Sequence, residues 1–483
     1  MAHTTVADVL VDGLARAGAV RVFVGPGGSG PLVTAARRRD LDVVDVPDAL
    51  AAGVLSAVTG EAGHGPGVVI AGLDDPRGLV RGLAHGQRDR APLILVTDGG
   101  ADAGRLAPAV KGSAVVEPGS AGHWIAHAAQ LAMADPRGPV HLVLAGGVGG
   151  QPALPVAAAC RPAPLPPPEP ASMDALASAL AGATRPLLVT GLECGPDDVR
   201  WIRAFAETLP APVLATPKGK GALADPHPLA LGPLVGGHPA LARADLVVLL
   251  GVDGGELTSG DVPAGTRVAR LARAAWAGGG LVAEALGDLA LLIEELAPAV
   301  RGRPAADWDV AELDRIKRAV TRPTTPAARL VALAREATPA GTLATGDVAA
   351  LAAWQAVGPR ETLVPLGPPP PGYAVLAALA AQLARADRRV VAFTSAAGCD
   401  AGAWALQLAA RRGLPLVVVV FGELDAGIAA HMEHAGVTVL PCRGERDFAR
   451  NFSRAFLMGR PAVVVPTATG EMGREATTAS PRP

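Results

Sequence analysis

Residues 414–422, reading LPLVVVVFG, decide the fold. The run is apolar at consecutive positions, β-branched from Val417 to Val420, and it stops at Gly422. It lacks the apolar–polar alternation of a sheet with one wet face, and it is too short for a core helix. A short continuous run of this kind, preceded by the Ala/Leu-rich helical stretch 401–408, reads as a strand buried on both faces of a helix-covered parallel sheet. The same unit recurs outward in both directions. VRVFVG (20–25), DVVDV (42–46), GVVIAG (67–72), PLILVTD (92–98) and PVHLVLAG (139–146) come first. PLLVTG (186–191), APVLAT (211–216) and DLVVLLG (245–251) follow, then VVAFTS (390–395) and PAVVVP (461–466). Strands alternating with helical stretches give the α/β class, with mainly parallel sheets flanked by helices.

Two breaks divide the chain. Residues 151–170, containing PALPVAAACRPAPLPPPEP, are too rich in proline to continue a helix or a central strand and read as an extended linker. Residues 301–326 mix proline and charge around a short helical stretch and read as a second linker. Three units result, 1–150, 171–300 and 327–483, in line with roughly 150 residues per domain. A further cluster, Pro368–Pro371, is a loop inside the last unit.

With 483 residues, 50% of them hydrophobic, the chain can bury a large core. Its net charge of −2 provides no basic field to gather nucleic acid or anionic lipid, so a small molecule or another protein is the expected partner. Residues 1–18 show helical apolar spacing and no basic leader, and no uninterrupted run of about 18 apolar residues occurs. A cytoplasmic protein without membrane contact is expected. Cys160, Cys194, Cys399 and Cys442 are far apart, and none forms a CxxC pair, so reduced thiols and no metal are expected.

Several strings, in order, resemble the thiamine-diphosphate enzymes of the acetolactate synthase and benzoylformate decarboxylase type. Gly25-Pro26-Gly27-Gly28 resembles that family's first pyrimidine-domain turn. Residues 82–93 resemble its helix-then-strand segment, and Gly138-Pro139-Val140-His141-Leu142 the strand closing that domain. Residues 216–232, with Lys218-Gly219 and His227-Pro228, are similar to its KGxxPxxHPxxxG stretch. Ala244 to Gly251 repeats its ADLVLxLG strand, while Gly346-Asp347-Val348 and Gly413-Leu414-Pro415 fall where it has its DxG and GLP elements. The resemblance implies a pyrimidine-binding-like, a central and a diphosphate-binding-like domain, and a homodimer or homotetramer.

The departures fall on the chemistry. In that family an Asp and an Asn at the ends of two strands help hold the Mg²⁺ that clamps the diphosphate; the matching positions here are Ala396, within Ser395-Ala396-Ala397, and Gly422, before Glu423. The Glu that protonates the aminopyrimidine corresponds to Ala49, with Asp48 one residue earlier. Leu73-Asp74-Asp75-Pro76-Arg77-Gly78 replaces a GPGxxN turn, and Pro371 takes the place of the bulky residue that bends the cofactor. A hard cation needs oxygen ligands, and an uncompensated buried ion costs several kcal/mol. The expectation is therefore that thiamine diphosphate and Mg²⁺ are not bound and that no cofactor is required. A flavin or adenine nucleotide in the central domain is left open, GxGxxG being absent.

Gly25, Pro26, Gly27, Gly28, Ala396, Gly398, Gly422 and Glu423 mark the former cofactor site in this reading. Asp48, Asp74, Asp75, His85 and Gln87 are candidates for a catalytic or binding cleft, where partly buried groups can do acid–base work. Asp400 is expected to cap a helix, His431 and His434 to lie on a solvated helix face, and Cys399 to be a packed thiol. Three functions stay open: an acetolactate-synthase-like protein repurposed for thiamine-independent small-molecule chemistry or binding in biosynthesis, a non-catalytic partner subunit of an intact homologue, or an active 2-oxo acid decarboxylase or carboligase with a rearranged site.

Overall fold

The run at 416–421 is a strand with every side chain buried, because Val and Phe on both faces leave no side that water could cover at low cost. A computed structural model describes residues 4–99, 103–258, 260–301 and 306–466. Such strands assemble there into three six-stranded sheets. The first holds β1 (Arg21–Val24), β2 (Asp42–Asp45), β3 (Gly67–Ala71), β4 (Leu93–Asp98), β5 (Gly112–Val116) and β6 (Pro139–Leu144), in the order β2-β1-β3-β4-β6-β5. The second holds β7 (Pro186–Thr190), β8 (Val213–Ala215), β9 (Ala230–Pro233), β10 (Leu246–Leu250), β11 (Arg267–Ala272) and β12 (Leu281–Leu286), in the order β12-β11-β10-β7-β8-β9. The third holds β13 (Leu343–Gly346), β14 (Thr362–Leu363), β15 (Val390–Ser395), β16 (Leu416–Phe421), β17 (Thr438–Cys442) and β18 (Ala462–Pro466), in the order β14-β13-β15-β16-β18-β17. Neighbouring strands pair in parallel, as in Val390↔Leu416 through Ser395↔Phe421. The expected class, parallel α/β sheets flanked by helices, is the fold observed.

The described residues cluster into two compact units. One comprises residues up to 164 together with 367–387 and 400–406; the other comprises 165–366, 388–399 and the residues from 407 onward. The first unit thus takes in the helix Tyr373–Ala384, although in the chain it lies between two strands of the third sheet. That helix is buried from Tyr373 to Gln382 and packs on the helix Ala49–Ala62. Its sequence, apolar all round, is that of a helix surrounded by core. The helices Ala49–Ala62 and Pro76–Arg88 also touch: a methyl built on Gly53 would lie 2.7 Å from the Gly82 Cα, so the contact is backbone against backbone.

Residues 151–169 carry no helix or strand, and the helix Pro170–Ala181 starts directly after them. In the second linker a helix spans Val310–Thr321, while 302–305 lie outside the described residues. Among the described residues no helix is long and apolar enough to cross a membrane. All four cysteines are buried and unbridged.

Candidate functional site

In the first unit β1 runs into the Gly25–Gly28 turn, which meets the turn after β3: Gly25 N donates to Ile70 O at 2.9 Å and Gly72 N to Pro26 O at 2.8 Å. Asp74 is exposed and reaches this junction, since a methyl on Gly27 (φ +68) would lie 2.5 Å from its Oδ2. Asp48 and Asp75 cap the two adjacent helices. Asp48 Oδ1 accepts from Ala51 N at 2.7 Å, and Asp75 Oδ1 from Gly78 N at 2.9 Å. Ala49, first residue of its helix, is 2% exposed, and its Cα lies 4.0 Å from where a Gly25 Cβ would stand. The structure therefore gathers Asp48, Asp74 and Asp75 around the Gly25–Gly28 turn.

His85 and Gln87 stand apart from that group. They lie toward the other end of the helix Pro76–Arg88, roughly 15 Å along its axis from Asp75 at 1.5 Å per residue. His85 is buried, with Nδ1 3.8 Å from Asp89 Oδ1 and its ring edge-on to Tyr373 at 5.2 Å between centroids. Gln87 is half-buried.

In the second unit the ends of β15 and β16 bring Ala396 and Gly422 together. A methyl on Gly422, whose φ is +108, would stand 3.9 Å from Ala396 Cβ. Glu423 is exposed. The oxygen-bearing side chains here are others: Thr394 Oγ1 donates to Asp347 Oδ2 at 3.0 Å, and Ser395 Oγ accepts from Gly398 N at 3.1 Å. A methyl on Gly398 would lie 2.1 Å from Thr394 Oγ1 and 3.1 Å from Asp347 Oδ2, which closes this cluster tightly. Asp347 and Thr394 are 47 residues apart, so no local motif links them in the sequence. Asp400 lies inside the short helix Ala396–Ala401, not ahead of a helix as its cap. His431 and His434 end the exposed helix Ala426–His434, and Cys399 is buried. Among the described residues no group of three His, Cys, Asp or Glu side chains could hold a metal.

The central sheet holds a site that the sequence did not single out. Its strand order reverses between β10 and β7, where open α/β sheets take their ligands. At that end Glu256 is buried and accepts from Thr216 Oγ1, from Leu192 N at 2.8 Å and from Asp253 N at 2.8 Å. Burial pushes its carboxyl up to about 7 against the pull of those donors. In the first sheet the opposite shift occurs: His141, between Thr97 Oγ1 (2.9 Å) and Ser113 Oγ (3.2 Å), is lowered to about 4 by burial.

Residues 173–275 match the family model "Thiamine pyrophosphate enzyme, central domain". The acetolactate synthase large subunit of Parasynechococcus marenigrum (strain WH8102) is 28% identical over 408 residues, which are 74% of this chain and 65% of that protein. The chain thus spans about two thirds of the length of that curated relative. The thiamine diphosphate-dependent 4-hydroxybenzoylformate decarboxylase of Rhodococcus jostii RHA1 superposes with a TM-score of 0.78 at 19% identity, covering 96% of this chain and 99% of that one. Benzoylformate decarboxylase from Polynucleobacter necessarius gives 0.78 at 17% identity, covering 97% and 99%. At these identities the two solved structures establish the fold.

One expectation is corrected. Thiamine diphosphate and Mg²⁺ were read as not bound, yet the matching family and the first of these structures carry that cofactor in their names, and it is the cofactor to which the comparisons point. The physical reason is that the side chains missing at Ala396 and Gly422 are not the only groups at these strand ends: the Thr394 and Ser395 hydroxyls and main-chain amides after parallel strands suit phosphate oxygens, and the Asp347 carboxylate beside Thr394 suits a hard cation. Those groups would hold a diphosphate and its metal here. When bound, the cofactor would supply a carbon nucleophile and electron sink.

Proposed function

We propose that this chain is a member of the thiamine pyrophosphate enzyme family, an acetolactate-synthase-like protein whose cofactor site is degenerate and serves a small-molecule task other than the family's usual carbon–carbon chemistry. The observation that carries this reading is Ala49. At the position where the resemblance puts the proton-transferring Glu stands a methyl group packed beside the Gly25 turn. The neighbouring carboxylate, Asp48, is engaged in capping the helix it precedes. No proton can be delivered from Ala49, and a carboxylate held by a backbone amide at 2.7 Å is turned toward its own helix. What remains around the turn, Asp48, Asp74 and Asp75, favours a polar or amine-bearing small molecule. The protein is read as a cytoplasmic homodimer or homotetramer, and light scattering that returned only a monomer would remove a two-chain cleft.

The reading is tested by carbon dioxide release from pyruvate, 2-oxobutanoate and benzoylformate with thiamine diphosphate and Mg²⁺ present. No release is expected from the natural sequence, and Ala49→Glu, alone or with Ala396→Asp and Gly422→Asn, is expected to raise it. Release by the unaltered protein at the roughly 1 s⁻¹ or more of ordinary enzymes would overturn the reading.

A further inference from the structure

The second unit contains a cavity of about 390 Å³ bordered by residues of the 216–232 stretch, by the segment from Val348 to Gln355 and by Phe421, the last residue of β16. Pockets of this size accept small organic molecules. Among the described residues, Asp225 is the one carboxylate on its lining, whereas Lys220, Lys317 and Arg322 all border it. Lys220 Nζ sits 2.9 Å from Asp225 Oδ2, so those two charges offset each other. The Lys317 ammonium is satisfied differently. It donates to the main-chain oxygens of Asp225 at 2.9 Å and of His227 at 2.6 Å, which solvate it without neutralising it, and an ammonium has a third N–H to give. Arg322 lies exposed on the strap after the helix Val310–Thr321. Two positive charges thus border the cavity without a matching carboxylate on its wall.

The rest of the lining places the small apolar side chains of Ala349, Ala350, Ala352 and Ala353 beside the polar Thr321, Thr324, Thr325 and Gln355, and Ala349 is exposed.

We propose that this cavity binds a small organic anion, a carboxylate or phosphate joined to a compact apolar body. Lys317 and Arg322 take the charge, and the alanines of the wall cover the apolar part. The short helix Ala349–Ala353 that forms this wall follows Asp347 in the chain. The ligand would therefore brace the segment that leads out of the Asp347–Thr394 cluster. Nothing in this depends on how the Gly25 turn and Ala49 are read.

Calorimetric titration of the full chain with benzoate, phenyl phosphate and neutral benzamide tests it, with thiamine diphosphate and Mg²⁺ saturating so that the strand ends near Gly422 do not contribute. Benzoate or phenyl phosphate is expected to bind, and which of them binds more tightly identifies the acid group. Benzamide is expected to bind at least roughly tenfold more weakly, as losing a charge-assisted hydrogen bond implies. Lys317→Met should weaken the anion by a similar factor, and Ala349→Trp, made at an exposed position, should fill the cavity and abolish binding while the protein stays folded. The proposal fails if neither anion binds, if benzamide binds as well as they do, or if Ala349→Trp leaves binding unchanged. Because Lys317 also holds two carbonyls, an unfolded Lys317→Met leaves the Ala349→Trp result to decide.

Discussion

At the residue scale, position and role separate. Asp48 and Asp75 were legible as carboxylates near a glycine turn, but their work as helix caps depends on where the helices start, which a sequence fixes only to within a few residues. Asp48→Ala should cost about 1 kcal/mol in denaturant unfolding, the usual cost of losing a cap, and leave any ligand binding at the cavity untouched. A cost of several kcal/mol would mean that the carboxylate does more than cap. Glu256 was not legible at all, because its partners Thr216 and Leu192 lie 40 and 64 residues away. A hydrophobic run announces itself by neighbours in the chain; a buried carboxylate is defined by donors that only the folded sheet brings to it.

At the scale of elements, most of the strands that could be read are buried on both faces, such as β3, β10 and β16, with the edge strand β2 read from its paired valines. β5 (GSAVV) escaped notice because it is half-exposed at a sheet edge, where alternating exposure dilutes the apolar signal. The helix Tyr373–Ala384 packs on the helix Ala49–Ala62, more than 300 residues earlier, a neighbour to which no local spacing points. The Gly53–Gly82 crossing offers a direct test of that packing layer. Valine at Gly53 would drive its Cβ to 2.7 Å from the Gly82 Cα, and backbone atoms cannot step aside as a side chain can. Gly53→Val should therefore destabilise the protein by about 2 kcal/mol, the middle of the range for overpacking, as read from the midpoint of urea unfolding at unchanged slope. An unchanged midpoint would show that the two helices can separate at little cost.

For the whole molecule, the alternation of strands and helices was enough to give three parallel sheets, since each buried run must be covered on both sides. What could not be read was how the chain distributes titrating groups between its two units, and this carries a consequence for stability. His141 belongs to the first unit and Glu256 to the second. His141, with its folded value near 4 and an ordinary value of 6.5, is held neutral, so the unfolded chain takes up a proton first. The first unit accordingly loses stability as pH falls from about 6.5 toward 4. Glu256, near 7 when folded against an ordinary 4.5, is held protonated, so the second unit loses stability as pH rises from about 4.5 through 7. Each shift is on the order of 3 kcal/mol when fully expressed. Between pH 5 and 8, where ordinary carboxylates no longer titrate, scanning calorimetry should show the first unit's transition moving up and the second's moving down. Glu256→Gln should flatten the second movement, and His141→Gln the first. Transitions that move together in the natural protein, or a Glu256→Gln variant that keeps the downward trend, would show that neither group governs the stability of its unit.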